Sequence, residues 1–393
     1  MTRAPKASAL RFVLAVGVVN LFADFTYEGG RSIWGAFFGT LGASATVVGV
    51  TAGAGEAIGY AVRSLSGVVA DRTQRYWIEI VVGYTINMLC VPALALAGAW
   101  PLAAGLVIGE RFGRGIRKPP MAAMLASAGK ELGSGKAFGI NEALDQTGAT
   151  LGPVLVAIVL ARSSGDFHDA FAILLIPAIL TLALLAVAAT QFRARANLAA
   201  SAPGNKSTLR EGRYWLFVAG GSLMAVGFAD WALISFHFQH THLFATALIP
   251  LVYVPAMLVG VIISPFAGLL LDRYGVAVLI VAVALSSAFA PLVFFGGPAL
   301  ALAGVILWGL GLAAQESLFL ATLANITRDE KKATTFGVYD TVFGVAWFAG
   351  SALLGFLYDR SLLGLVVFAV ALQLASIPFF IASVRNSKHP TAV

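Results

Sequence analysis

Two stretches, Gly67-Val-Val-Ala-Asp71-Arg72-Thr-Gln74-Arg75-Tyr76 and Gly268-Leu-Leu-Leu-Asp272-Arg273-Tyr274-Gly275, carry one Gly-x-x-x-Asp-Arg pattern at an offset of 201 residues. Each closes a long apolar run. Phe138-Gly139-Ile140-Asn141-Glu142 returns as Phe336-Gly337-Val338-Tyr339-Asp340 at an offset of 198, and Phe22-Ala23-Asp24 returns as Phe228-Ala229-Asp230 at 206, which also carries Arg31 onto His237. Three short matches, in order and at nearly constant offset, mark an internal duplication. Copies in one orientation fit a parallel repeat about an axis along a membrane normal, an arrangement expected to hold a central site near the midplane.

Outward from these stretches the chain is apolar nearly throughout. Of 393 residues, 59% are hydrophobic and 11% charged, against about 25% charged in an ordinary soluble domain. So few charges cannot wet the surface of a chain this long, which excludes a soluble globule, a disordered chain and a nucleic-acid-binding domain. The single cysteine, Cys90, excludes an internal disulfide and Cys-based metal or redox motifs.

Apolar segments fall at 11–40, 45–71, 76–98, 101–128, 136–162, 169–192, 214–240, 246–271, 275–297, 299–325, 333–358 and 362–384, each long enough to cross a bilayer as a helix. The basic start of the chain runs into the first of these without a cleavage pattern, so that segment is read as a retained span. Twelve spans put both termini on one face. Eighteen of the 26 Lys and Arg lie on that face, among them Arg3, Lys6, Arg72, Arg75, Lys130, Arg273, Lys332 and Lys388, and only Arg162 and Arg360 lie opposite. The terminal face is therefore expected to be cytoplasmic, and the net charge of +7 needs no nucleic-acid partner. The polar stretch 193–213 reads as a cytoplasmic linker between two six-span halves, 1–192 and 214–393.

Six bases lie inside the spans of the first half: Arg31, Arg63, Arg111, Arg114, Arg117 and Lys118. They stand with six acids, Asp24, Glu28, Glu56, Glu110, Glu142 and Asp145. Asp24, Glu28 and Arg31 follow i, i+4, i+7 and share a helix face. Each such charge costs about 2.5–3.5 kcal/mol at a helix centre on insertion scales, so such residues point to function. The six acids and six bases can neutralise one another, and Arg117 and Lys118 lie deep enough toward the cytoplasm to snorkel to headgroups. The second half has Asp230, Glu316 and Asp340 in its spans and no Lys or Arg. A buried carboxylate without a cation is favoured as the neutral acid or with a bound cation, which is the chemistry of proton coupling. The proton-coupling or substrate candidates are Asp24, Glu28, Arg31, Glu56, Arg111, Arg114, Asp230 and Glu316, with the repeat-related Asp24 and Asp230 foremost.

These motifs resemble the major facilitator superfamily over essentially the whole chain. Gly67 to Tyr76 is similar to its signature Gly-x-x-x-Asp-Arg/Lys-x-Gly-Arg-Arg/Lys, departing at Gln74 and Tyr76. Val107-x-x-x-Arg111-x-x-Arg114-Gly115 resembles a second signature, whose arginine is associated with proton coupling. Gly148-Ala-Thr-Leu-Gly152-Pro153 resembles part of the drug/proton antiporter signature and is equally a helix-packing motif of small residues. The resemblance implies an all-α membrane fold of twelve helices in two pseudo-symmetric halves, and a cytoplasmic gate formed by Gly67, Asp71, Arg72, Arg75, Glu142, Gly268, Asp272, Arg273 and Asp340. Asp71 is expected to reach the positive N-terminus of span 11 and Asp272 that of span 5, each contact contributing about 0.3–1 kcal/mol when exposed.

The expected function is alternating-access transport of a small solute, coupled to protons and directed outward by antiport. Uptake by symport, divalent-metal export, and a receptor or scaffold without turnover are the alternatives. His237, His240 and His242 at the outer end of span 7 are the candidate metal ligands. No Ser/His/Asp grouping, phosphate loop or thiolate nucleophile points to an enzyme. No cofactor is expected, and the partners are the solute, protons and the lipid bilayer, with the chain acting as a monomer.

Overall fold

In the computed structural model, described for residues 3–193, 212–326 and 332–384, every regular element is helical. In order they are α1 (Arg3–Arg31), α2 (Trp34–Thr40), α3 (Ala45–Thr73), α4 (Tyr76–Ala93), α5 (Trp100–Leu132), α6 (Ser134–Arg162), α7 (Phe167–Ala172) and α8 (Leu175–Gln191). Then follow α9 (Gly212–Gly227), α10 (Trp231–His240), α11 (Ile249–Tyr274), α12 (Ala277–Ser287), α13 (Phe289–Phe295), α14 (Pro298–Ala313), α15 (Phe319–Ile326), α16 (Lys332–Arg360) and α17 (Leu362–Val384). A backbone in lipid must satisfy its own hydrogen bonds, which apolar sequence without water can do only as helix here.

Eleven helical segments among the described residues are long and apolar enough to cross a membrane. The twelfth crossing is α5, 33 residues long, whose Glu110, Arg111, Arg114, Arg117 and Lys118 depress its hydropathy. Among the described residues it carries more of the buried charge than any other element.

By contact the chain forms two compact units. The first comprises 1–44, 54–202 and 235–254, and the second 45–53, 203–234 and 255–393. In the first, α1 packs along α6 and α8, and α4 along α5. The α1–α6 approach is set by Gly148 and Gly152. A Cβ at these positions would stand 2.0 Å from the Leu21 carbonyl oxygen and 2.2 Å from that of Phe25, so only glycine lets the two backbones meet. Gly83 and Gly113 seat α4 on α5 in the same way. The unit's core gathers Phe12, Tyr76, Tyr84, Met88 and Met124, all essentially buried. In the second unit α9 packs on α17 and α16, and α14 on α12 and α13. Its aromatic core includes Phe217, Phe319 and Phe380, with ring centroids 5.1–5.8 Å apart.

The structure differs from the sequence expectation in span 7. Residues 214–240 read as one helix, but the chain is non-helical at 228–230, between α9 and α10. Trp308 Nε1 donates to the Ala229 carbonyl at 2.8 Å, and Gln373 Nε2 to that of Gly227 at 3.0 Å. Carbonyls freed by the break thus find partners on neighbouring helices, the condition for an interrupted helix at membrane depth.

Candidate functional site

The polar centre of the first unit is built on Tyr27. It lies in α1 between Asp24 and Glu28 and is 2% exposed. Its hydroxyl accepts from Arg111 Nη1 and, at 2.5 Å, from Arg114 Nη1, while its ring lies under the Arg114 guanidinium at 4.0 Å. One neutral oxygen therefore holds two guanidiniums of α5. Arg111 also meets Glu56 Oε1 of α3 at 3.0 Å and Glu110 Oε2 at 3.5 Å. Glu110 is fixed by Asn87 of α4, whose Nδ2 donates to Oε1 at 2.5 Å. Arg31 meets Glu28 Oε1 at 3.5 Å, and the other Glu28 oxygen accepts from the Tyr253 hydroxyl at 2.7 Å. A cavity of about 20 Å³ lies among Tyr27, Arg31, Trp34, Glu110 and Arg111, room for about one water with polar groups to hold it.

One to two turns nearer the terminal face the composition changes. Arg117 Nη2 meets Asp24 Oδ1 at 3.6 Å, and the Arg117 guanidinium lies over the Tyr84 ring at 4.3 Å. The Tyr84 hydroxyl donates to Asn20 Oδ1, Asn20 Nδ2 to Asn141 Oδ1 at 2.8 Å, and Asn141 Nδ2 to Asp145 Oδ2 at 3.2 Å. A continuous hydrogen-bonded chain thus links α4, α1 and α6. Removing one member of a buried ion pair typically costs about 3–5 kcal/mol, because the remaining charge has neither partner nor water.

Asp24, Glu28, Arg31, Glu56, Arg111 and Arg114, chosen from sequence, thus all lie in the polar interior of the first unit, in three contact groups within electrostatic range of one another. Sequence reasoning missed Asn20, Tyr27, Tyr84, Asn87, Asn141 and Tyr253. Their signal was present as amides and phenols inside otherwise apolar runs, but only formal charge was weighed.

In the second unit Asp230 is 3% exposed. Its Oδ1 accepts from the Ala232 amide at 2.9 Å, capping α10, while Oδ2 is buried with no hydrogen-bond partner. No Lys or Arg stands within 4.0 Å of it among the described residues. Its repeat mate Asp24 lies in unbroken helix, so the copies differ locally. Glu316 lies in a π-helical segment, Ala314–Leu318, and is exposed, whereas its neighbour Gln315 is buried with Oε1 unpartnered.

Among the residues expected to form the gate, Asp71 accepts from the Tyr76 hydroxyl at 3.1 Å, so a residue departing from the family signature holds its aspartate within the loop. Gln74, which replaces the signature's glycine, has φ +56°, and Gly275, three residues after Asp272, has φ +61°. The amide of Gln74 donates to the Ala70 carbonyl at 2.8 Å and that of Gly275 to Leu271 at 2.7 Å. Both copies therefore turn in the same left-handed way, which favours glycine. Arg72, Arg75 and Arg273 are exposed, and Gly67 faces Pro119. Glu142 is exposed and accepts from Gln146 at 2.8 Å, with no arginine within 4.0 Å among the described residues. Asp340 is half-buried, within electrostatic range of Tyr214. The side chain of Asp272 and the surroundings of Gly268 lie outside the described residues, as do Lys206, Arg210, Arg328, Lys331, Arg385 and Lys388. Pro153 follows Gly152 inside α6.

No group of three His, Cys, Asp or Glu among the described residues could hold a metal ion. His237, His240 and His242 are not brought together as one. His237 is buried, His240 stacks on Phe236 at 5.7 Å, and His242 lies past the helix end with φ +53°.

Comparison with known proteins places this architecture. Residues 16–351 match the Major Facilitator Superfamily. The uncharacterized protein Rv2265 of Mycobacterium tuberculosis (strain ATCC 25618 / H37Rv) is 36% identical over 385 residues, covering 96% of this chain and 94% of that protein. The uncharacterized MFS-type transporter MJ1317 of Methanocaldococcus jannaschii is 29% identical over 171 residues, 43% of this chain and 42% of that one. The nucleoside transporter NupG has a TM-score of 0.78 at 14% identity, over 95% of this chain and 99% of that chain. The peptide transporter POT has a TM-score of 0.71 at 14% identity, over 95% and 93%. At such identities the likeness is one of fold.

Proposed function

The chain belongs to the Major Facilitator Superfamily, and on that footing we propose that it is a secondary transporter that moves a small solute across the cytoplasmic membrane by alternating access, in exchange for protons. The observation that carries proton coupling is the state of two carboxylates related by the repeat. Asp24 has one guanidinium at 3.6 Å, and Asp230 keeps one buried oxygen without a hydrogen-bond partner. Each stands where charge is costly, so each gains or loses a proton with a large change in local field.

The moving bodies are the halves 1–192 and 214–393, joined by 193–213, and the chain works as a monomeric carrier without cofactor or enzymatic step. The lysine and arginine asymmetry of the loops supports cytoplasmic termini. Arg72, Arg75 and Arg273, with Asp71, Asp272, Glu142 and Asp340, form the cytoplasmic gate. Export by antiport is favoured by the Gly148 to Pro153 stretch of α6, which resembles the antiporter branch. Uptake by symport is a second reading, favoured by the surplus of guanidiniums around Asp24: protonating that acid would release cations for a solute.

A solute screen in a deletion strain, comparing accumulation with and without an uncoupler, tests the reading. A solute that accumulates in the deletion strain, and in the wild type only when uncoupled, is the expected result. Uncoupler-independent accumulation of every affected solute would remove proton coupling.

A further inference from the structure

We propose that the first unit binds an organic anion, with a carboxylate or phosphate group seated on Arg114 between Arg63 and Lys118. The proposal deepens, and rests on, the transporter reading, since it names the chemical class of the solute.

The argument begins from how charge is divided within the unit. Toward the Trp100 end of α5, three carboxylates (Glu28, Glu56, Glu110) face two guanidiniums (Arg31, Arg111), and contacts of 3.0–3.5 Å join them. Toward the terminal face three carboxylates, Asp24, Asp145 and the exposed Glu142, stand among four cations, Arg63, Arg114, Arg117 and Lys118. Asp24 is taken by Arg117 at 3.6 Å, and Asp145 accepts from Asn141. Arg63, Arg114 and Lys118 have no carboxylate within 4.0 Å among the described residues; Asp24 reaches Arg114 and Lys118 only at longer range, while both arginines lie within electrostatic range of Lys118. They repel one another.

Hydrogen-bond accounting points the same way. The Nε atoms of Arg63, Arg114 and Arg117 are all buried without an acceptor, and Arg117 is 5% exposed. Guanidinium has five donors and no acceptor, so the layer has a surplus of N–H groups that only acceptor oxygens can meet. Planar guanidinium pairs in bidentate fashion with carboxylate or phosphate.

The residues also share a level and a face. Gly115 packs on Gly59 and Val62, and Gly67 faces Pro119, which sets Arg63 of α3 beside Arg114 and Lys118 of α5. On α5, Arg111, Arg114 and Lys118 follow i, i+3, i+7 and so share one face. Along that face Arg111 is buried, Arg114 half-buried and Lys118 exposed. An anion arriving from the terminal face would therefore meet the lysine first and the arginine behind it.

The test uses the purified full-length protein and three anionic probes, inorganic phosphate, citrate and glycerol 3-phosphate. Glucose and choline serve as neutral and cationic probes at matched ionic strength. At about 100 times its Kd, an anion that fits should raise the melting temperature by about 3 °C, and Arg114→Gln should abolish the rise. Lys118→Gln, at an exposed side chain, keeps the fold and should weaken the same anion about tenfold, a loss of roughly 1.4 kcal/mol. Stabilisation by glucose or choline alone, or by an anion equally in both variants, overturns the proposal. So does stabilisation by phosphatidylglycerol vesicles alone, which would make the cluster a lipid anchor. Counterflow in proteoliposomes separates the two readings. Choline counterflow unaffected by Arg114→Gln leaves the transporter and removes the anion; anion binding lost in the variants, without counterflow, keeps the anion site and removes the transporter.

Discussion

Replacing Tyr27 with Phe removes one oxygen and no volume of consequence, yet two guanidiniums share that oxygen. Arg111 keeps Glu56 at 3.0 Å and Glu110 at 3.5 Å. Arg114 loses its only hydrogen-bond acceptor among the described residues. A hydrogen bond to a charged group contributes about 1.5–3 kcal/mol net, and stranding the buried donor makes the loss felt in full. Most of the damage falls on Arg114, so Tyr27→Phe should cost about 2–3 kcal/mol, or about 3 °C in melting temperature for a chain of this length. The single, half-buried Cys90 offers the readout: a fluorogenic thiol reagent reports its exposure during a thermal ramp in detergent. The double variant with Arg114→Met removes donor and acceptor together. Its loss should fall short of the sum of the two single losses by at least about 1.5 kcal/mol. Single losses that add to within about 0.5 kcal/mol would refute the shared-oxygen account.

Other perturbations address other parts of the fold. Gln74→Gly should stabilise the protein by about 1 kcal/mol, since the left-handed backbone there strains any side chain, and the same thermal ramp would record a rise. Gly148→Ala places a methyl 2.0 Å from the Leu21 carbonyl oxygen, so α6 must shift off α1; size-exclusion profiles should show loss of the folded peak or a melting temperature lower by several degrees, at about 1–3 kcal/mol of overpacking. Asp230→Asn should retain the cap on the Ala232 amide and stability within about 0.5 kcal/mol, whereas Asp230→Ala should lose about 1 kcal/mol. If Asp230 carries protons, the Asn variant stops uncoupler-sensitive transport while melting normally.

The fold was legible because lipid simplifies the problem. Where every backbone group must be satisfied internally, an apolar run of about 20 residues is a helix, and the duplicated Gly-x-x-x-Asp-Arg loops set the two-fold organisation. α5 shows how far the argument carries: read as the apolar segment 101–128, it is one continuous helix despite its cluster of charges, although those charges keep it from being apolar enough to stand out as a crossing by composition. The broken helix at 228–230 was not legible, because it depends on distant partners. Trp308 and Gln373 satisfy the carbonyls that the break frees, and nothing local in Gly227-Phe228-Ala229-Asp230 announces them beyond an aspartate suited to an N-cap. Within the candidate site, formal charges were readable one by one because each is anomalous in lipid. Tyr27, Asn20 and Asn141 carry no formal charge, so their role emerged only once α1, α4, α5 and α6 were assembled. The histidines show the limit of spacing: it placed His237 and His240 on one face, but among the described residues they do not join a third ligand into a metal-holding group, His242 lying past the helix end in a left-handed turn.

Proton coupling through Asp24 is the claim on which the account most depends. Everted membrane vesicles, energised to build an acid interior and loaded with a quenching pH dye, would be challenged with the solute identified in the deletion-strain screen. Wild-type vesicles should show dequenching on solute addition, and vesicles carrying Asp24→Asn, produced at equal level and assayed well below the variant's own melting temperature, should show none. Equal dequenching in both would contradict the assignment of the coupling proton to Asp24.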